Sequence, residues 1–597
     1  MRSTHLLPVS ATALAFALLS TGGACVTPTE NVPEDAATVD TADALPCTPG
    51  YPLGPFGREI GSILANESFV TDRGALDLAS YYTPCAARAN VLVVRVTSGF
   101  CGSCRWHAEH TQEFLAVDDR VKLLDLLVSD DENFVPTLRA VDTWRKRLSV
   151  DIPVALNPSQ SWATFDGLPA AGFPLYVFID PRTMELRGAL QNPGPERVKS
   201  RILSELAAID GKEAPSPLPE EKIQNYFSRD QWDMLKAMKR PTVPPPDPTN
   251  AYADNADAAA FGRQLFFDTS LSPTNTVSCS TCHMPAKGLT DRLPQGVGVG
   301  KGERKTPSIM FAAHSPTQFW DGRADSLWAQ ALGPFEAPLE FGSSRTFVAK
   351  QVYGRYKATY EKIFGALPDF ADPRFPPMGK PGDAAYDALS AADREAITKT
   401  FVNVGKSIAA YERTFQSTST RVDAYIAGDF SALTDNEAHG FHEYFAAGCA
   451  QCHFGPRLTN DAFHNLRFPT GKQNGTADIG RSDGITSLLA DEFNRAGSWS
   501  DKKEMYDTAF LLANAKSAEG KFRTPSLWGI GVNAPFGHGG TLATMEEIVK
   551  IYADRGLADG DARTMGQTEP WVPKFSEEHR PRIVTFLKLL TNEAIAP

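Results

Sequence analysis

Two short motifs constrain this chain more than any other feature: Cys279-Ser-Thr-Cys282-His283 and Cys449-Ala-Gln-Cys452-His453. Two cysteines at this spacing reach both vinyl groups of one haem, and the adjacent histidine then lies under the iron. Zinc is the rival occupant. A zinc site needs four protein ligands, however, and no spare cysteine lies near either motif. Each motif therefore reads as a haem c attachment: Cys279 and Cys282 with His283 as metal ligand, and Cys449 and Cys452 with His453.

The motifs belong to an internal repeat. Each is followed by Thr-Pro-Ser, at Thr306-Pro307-Ser308 and Thr524-Pro525-Ser526, and then by a glycine turn, at Trp320-Asp321-Gly322 and His538-Gly539-Gly540. Pro307 to Gly322 and Pro525 to Gly540 are both 15 positions. Equal spacing points to two copies of one haem domain. Beyond Asn250 the pattern is helix and loop, and Thr434-Asp435-Asn436-Glu437 is a capping box opening a helix over 434–446.

The N-terminus has the form of an export signal. Arg2 and His5 precede an apolar run over 6–19 that is too short to span a bilayer and ends in small residues before Cys25. We assign 1–24 to a signal peptide; Cys25 is either a lipid anchor or the first residue after simple cleavage. Export places the protein in the periplasm or, if lipidated, on the outer membrane. Residues 25–50 read as a disordered tether. In an exported chain Cys47 and Cys85 can pair as a disulfide. The net charge is -12, which argues against nucleic acid or an anionic membrane surface as a partner.

Residues 51–211 alternate apolar runs with amphipathic ones, the mark of an α/β layer fold. Strands are expected at 91–96, 121–128 and 175–179, and helices at 105–116, 133–148 and 195–209. Residues 212–250 are proline-rich and read as an extended linker. Two haem domains follow, over 251–415 and 416–597. The fold class is thus multidomain: an α/β domain, then two mainly α-helical class I cytochrome c-like domains.

Leu265-Phe266-Phe267-Asp268, both haem motifs, Thr306-Pro307-Ser308, Phe319-Trp320-Asp321-Gly322-Arg323-Ala324 and Phe522-Arg523-Thr524-Pro525-Ser526-Leu527 occur in an order that resembles the bacterial dihaem cytochrome c peroxidases, the family that includes MauG, over about 250–595. The resemblance implies a peroxide-binding haem in the first half and an electron-transfer haem in the second. It implies Trp320 between them and Gln330 and Glu340 on the distal side of the first. Read without the motif, Trp320 is ordinary core, and Gln330 and Glu340 a solvated face. Peroxidase members carry a distal histidine where this chain has Val299, so the first iron is expected to be open at rest. They carry a methionine on the second iron where this chain has Tyr552, a candidate metal ligand or else a plain core tyrosine. Pro525 to Tyr552 and Pro307 to Pro334 are both 27 positions. The family's calcium site is in doubt, because Lys305 stands where an oxygen ligand is expected.

The N-terminal domain resembles thioredoxin-like proteins of the redoxin type. Cys101-Gly-Ser-Cys104 follows a strand and opens a helix, whose N-terminus favours a thiolate. Gly172-Phe173-Pro174 matches the cis-proline loop. The pair is an active dithiol or a static disulfide on a retained fold.

These features lead us to expect an exported dihaem peroxidase with an attached thiol-disulfide domain. It would reduce hydrogen peroxide with electrons from a small cytochrome c or cupredoxin. The alternatives are a MauG-like oxidase that modifies a protein, and a non-enzymatic dihaem electron carrier. Relatives of this kind often form homodimers.

Overall fold

The strand β3 (Val91–Thr97) is buried at every position, as its run of valines requires, and it organises a seven-stranded sheet. The computed structural model describes residues 50–156, 173–216, 222–472, 474–558, 560–569, 572, 574–591 and 594–595. The readings placed on 1–49, including the signal, the tether, Cys25 and Cys47, and the one placed on Gly172, lie outside these residues.

The sheet order is β2-β1-β5-β4-β3-β6-β7, with β1 (Ser68–Thr71), β2 (Gly74–Asp77), β4 (Val121–Leu127), β5 (Val154–Leu156), β6 (Leu175–Asp180) and β7 (Glu185–Gln191). β3 runs parallel to β4 and antiparallel to β6, and β6 pairs antiparallel with β7. Helices α1 (Gly102–Glu109), α2 (Thr111–Leu115), α3 (Leu138–Arg145) and α4 (Pro195–Ile209) complete the domain. A parallel β3-helix-β4 unit, then an antiparallel pair and a closing helix, is the thioredoxin-like arrangement. The helix expected over 105–116 is two helices, because the chain turns at His110, whose ring bonds back to the Trp106 carbonyl (2.8 Å). The helix expected over 133–148 starts only at Leu138. Asn133 is left-handed, at φ 67°, and Pro136 holds the preceding residue extended. Inside the sheet the Arg95 guanidinium grips Asp125 through two bonds of 2.8 and 2.7 Å, and both side chains are fully buried.

The proline-rich stretch differs from the extended linker its composition suggests. Residues 222–223 and 227–228 pair as a small hairpin, and α5 (Arg229–Lys236) follows, opened by a Ser228–Gln231 capping box. Phe227, Trp232, Leu235 and Met238 are buried in the helical core. The apolar spacing of these residues outweighs the flanking prolines.

The helical part contains α6 (Ala256–Phe267), α7 (Cys279–Cys282), α8 (Leu327–Glu336), α9 (Arg345–Phe364), α10 (Ala384–Asp387), α11 (Ala391–Glu412), α12 (Arg421–Ile426), α13 (Asp435–Ala446), α14 (Arg481–Ala490), α15 (Thr508–Asn514), α16 (Met545–Asp554) and α17 (Arg580–Leu589). The two halves repeat one packing. The helix before each motif crosses the last helix of its half at a glycine. A Cβ on Gly262 would meet the Ser407 carbonyl at 1.8 Å, and one on Gly440 the Arg582 carbonyl at 2.4 Å, so only glycine permits these crossings. Among the described residues no helix is long and apolar enough to cross a membrane.

Candidate active site

Each Cys-x-x-Cys-His segment is held by the same set of bonds. The Nδ1 of His283 lies 3.1 Å from the Leu289 carbonyl, and that of His453 lies 3.2 Å from the Leu458 carbonyl. Tied to a carbonyl, Nδ1 carries the proton and Nε2 keeps its lone pair for a metal. Thr290 donates to the Thr306 carbonyl and Thr459 to the Thr524 carbonyl, both at 2.7 Å. Ser308 donates to Gly288 and Ser526 to Arg457, again both at 2.7 Å. The two Thr-Pro-Ser segments thus clamp the loop that orients each histidine.

The halves also join reciprocally. Lys305 N donates to the His538 carbonyl (2.9 Å), and Arg523 N to the Trp320 carbonyl (2.8 Å). Trp320 Nε1 donates to the Lys305 carbonyl at 2.8 Å. Trp320 and His538 are equivalent in the repeat, and each sits at the seam. A continuous cavity of about 730 Å³ runs past them, lined by Cys282, His283, Trp320, Gln330 and Glu340 on one side and by Cys449, Cys452, His453 and Tyr552 on the other.

The donor set fits two haem c groups. Cys279, Cys282, Cys449 and Cys452 are free thiols. Burial raises all four, Cys282 to about 11 and Cys449 to about 12, so they stay protonated until alkylated. Burial likewise lowers both histidines, His453 to about 4, which keeps them neutral as a metal ligand requires.

The sites differ on the side facing each histidine. Helices α8 and α16 are equivalent, each capped by a hydroxyl, from Ser326 and from Thr544. In α16 the Tyr552 hydroxyl lies 3.3 Å from His453 Nε2. Burial, with the Cys452 and Cys449 thiols, raises that phenol above its ordinary value. In α8 the matching residue is Pro334. The His283 side instead presents Gln330, one turn earlier on α8, and Glu340 beyond the helix end. Glu340 is open to the cavity but enclosed by protein, and this desolvation raises its carboxyl, opposed by Arg323. Val299 does not line the cavity. Its amide donates to the Glu340 carbonyl (2.9 Å) and so braces the segment that carries this carboxyl.

Three site residues gave weaker signals in the sequence. Glu412, at the end of α11, lines a small side cavity of about 40 Å³ with Cys279, His283 and Glu340. Burial pushes it up to about 8, so it is protonated at neutral pH. No local pattern identifies it. Lys305 is 4% exposed, its Nζ has no hydrogen-bond partner among the described residues, and burial lowers it to about 8. It holds the place where calcium was in doubt. His538 is stacked on Phe522 at 3.6 Å and lowered to about 4 by burial. The repeat spacing had paired its segment with that of Trp320.

Cys101 and Cys104 form a disulfide, and Cys101 caps α1, accepting from the Cys104 amide at 3.1 Å. The Phe173–Pro174 bond is cis. Cys85 is disulfide-bonded.

Residues 256–431 match the family model described as di-haem cytochrome c peroxidase. The cytochrome-c peroxidase IdrP1 of Denitromonas iodatirespirans is 30% identical over 349 residues, covering 55% of this chain and 83% of the relative. The methylamine utilization protein MauG of Methylorubrum extorquens is 29% identical over 343 residues, covering 57% of this chain and 80% of the relative. The cytochrome c551 peroxidase of Nitrosomonas europaea is 26% identical over 344 residues, covering 57% and 81%.

Proposed function

The chain belongs to the dihaem cytochrome c peroxidase family that includes MauG, and on that footing we propose that it is an exported peroxidase reducing hydrogen peroxide with electrons from a small redox protein. The observation that carries this reading is the asymmetry of the cavity. One histidine faces a tyrosine, whereas the other faces open space lined by a glutamine and a carboxyl group. Two haem c groups, when bound, supply the peroxide-binding iron and the reducing electrons.

The residues divide the remaining work. His283 would hold the iron of the first haem and His453 that of the second. Gln330 orients the peroxide by hydrogen bonding. Glu340 takes the proton from one peroxide oxygen and delivers it to the other, which turns the departing oxygen into water. Desolvation raises its affinity for protons above that of an exposed carboxylate, which favours its taking a proton within the site. Trp320, bonded to Lys305 within its own half and to Arg523 across the seam, carries electrons between the halves. Tyr552 closes the second site against peroxide. The donor is a small cytochrome c or cupredoxin docked near the second half.

The test is steady-state peroxide consumption by the holo-protein with a reduced small cytochrome as donor. Rapid, donor-dependent turnover supports the reading. Tyr552, together with Val299 in place of a histidine, favours a second one: a MauG-like oxidase that uses peroxide to modify a protein side chain. That alternative gives poor donor-dependent turnover and a long-lived doubly oxidised spectrum when peroxide is added without reductant.

A further inference from the structure

The Cys101–Cys104 disulfide is not placed as a disulfide-exchange centre would be. Reactive cysteines of that kind are partly exposed, so that a partner sulfur can approach in line. Here Cys101 is 1% exposed and Cys104 0%. Part of what covers them is the second haem domain. The apolar cluster containing Cys101, Cys104, Phe100 and Phe173 also contains Ala462, and the haem-anchoring Cys452 packs against it.

The contact is built rather than incidental. A Cβ on Gly102, between the two cysteines, would lie 2.5 Å from the Phe454 ring, so glycine alone permits this approach. Phe454 directly follows the metal ligand His453. The Phe100 ring meets the His464 ring edge-on at 4.8 Å, and Asn133 and Asn460 bracket that imidazole at 3.2 and 3.0 Å. Asn133 also donates to the Phe463 carbonyl (3.2 Å) and to Glu569 (3.0 Å), and Arg481 reaches Glu132 at 2.8 Å. From Cys101 to His453 the route is one peptide bond to Gly102, one non-bonded contact to Phe454, and one more peptide bond.

We propose that the Cys101/Cys104 dithiol is an internal electron donor to the His453 haem, giving the protein a thiol-dependent peroxidase activity. The inference rests on the peroxide chemistry proposed above. Two S–H bonds and one O–O bond break, one S–S bond forms, and two water molecules leave. Cys101 and Cys104 are oxidised and hydrogen peroxide is reduced. Two electrons pass singly through the second haem domain, and the two thiol protons balance those taken up by the peroxide oxygens. Restoring the buried pair takes a small dithiol, which reaches the sulfurs only during transient local opening of the packed surface.

The experiment uses holo-protein in three forms: reduced with dithiothreitol and desalted anaerobically, untreated with the disulfide closed, and the C101S/C104S variant. Each receives one equivalent of hydrogen peroxide without other reductant. Haem absorption is followed, and the Cys101/Cys104 thiols are then mapped by alkylation and mass spectrometry. The peroxide-induced haem spectrum is expected to decay on the order of tenfold faster in the reduced form than in the other two, with one Cys101–Cys104 disulfide formed per peroxide. Direct attack of peroxide on a thiol would leave that decay unchanged. Equal lifetimes in all three forms, or thiols that persist after the peroxide is spent, overturn the inference while leaving the peroxidase reading intact. A haem spectrum unresponsive to peroxide in every form sinks both.

Discussion

The Tyr552 hydroxyl faces His453 Nε2 across 3.3 Å, and the residue at the matching position of the other half is Pro334. One helix of the repeat therefore delivers a hydroxyl oxygen to its histidine, and its equivalent delivers none. In a two-haem protein that single difference separates a site closed by the chain from one left open to a small ligand. It also specifies what a substitution should do.

Replacing Tyr552 with Phe removes the oxygen and keeps the ring packed against Phe468. Bound to iron, the phenol would lose its proton, and an anionic oxygen ligand stabilises the higher oxidation state of the metal. Its loss is expected to raise the potential of the second haem by on the order of 100 mV, within the range of about 0.8 V that axial ligands span. Spectroelectrochemical titration of the two haems reads this directly; an unmoved potential would reassign Tyr552 to the core.

Glu340→Gln keeps the size and polarity of the side chain but cannot shuttle a proton. Peroxide turnover should fall by about 10²–10⁴-fold, the usual contribution of a positioned acid-base group, with haem content unchanged. A rate equal to the parent protein's removes Glu340 from the chemistry.

Asp125→Ala leaves the buried Arg95 guanidinium without its carboxylate and also removes the acceptor for Trp144 Nε1 (2.8 Å). Breaking a buried pair on one side costs about 3–5 kcal/mol. Calorimetry should show the transition of the thioredoxin-like domain at a much lower temperature, with the haem domains less affected.

Glu412 gives a pH dependence of definite sign. Its folded value, about 8, lies above the ordinary carboxyl value of 4.5. The contribution of its protonated form is fully present below about 4.5 and is lost as pH rises through about 8, since the folded state binds the extra proton. Glu412→Gln abolishes this term. The variant should gain stability relative to the parent between pH 5 and 8, by roughly 3–5 kcal/mol at the upper end. Denaturant unfolding at several pH values measures it.

The sequence made legible whatever is local or repeated. The buried valines of β3, the Thr434–Glu437 capping box and the Thr-Pro-Ser clamps all announce themselves within a few residues. The strands β1 and β5 are too short to show a period, and β7 is only partly buried. The packed segment around Trp232 was hidden by its flanking prolines. Glu412 is drawn to Cys279 by the packing of α11, and Phe454 to Gly102 by the meeting of two domains. Such long-range neighbours leave no local pattern to read.

With both haems bound, the His283 site would be open and the His453 site closed by Tyr552. Electron paramagnetic resonance of the resting ferric holo-protein tests it most directly. One high-spin and one low-spin signal are expected, with only the high-spin one lost on binding a small anionic ligand. Two low-spin signals at rest would contradict it.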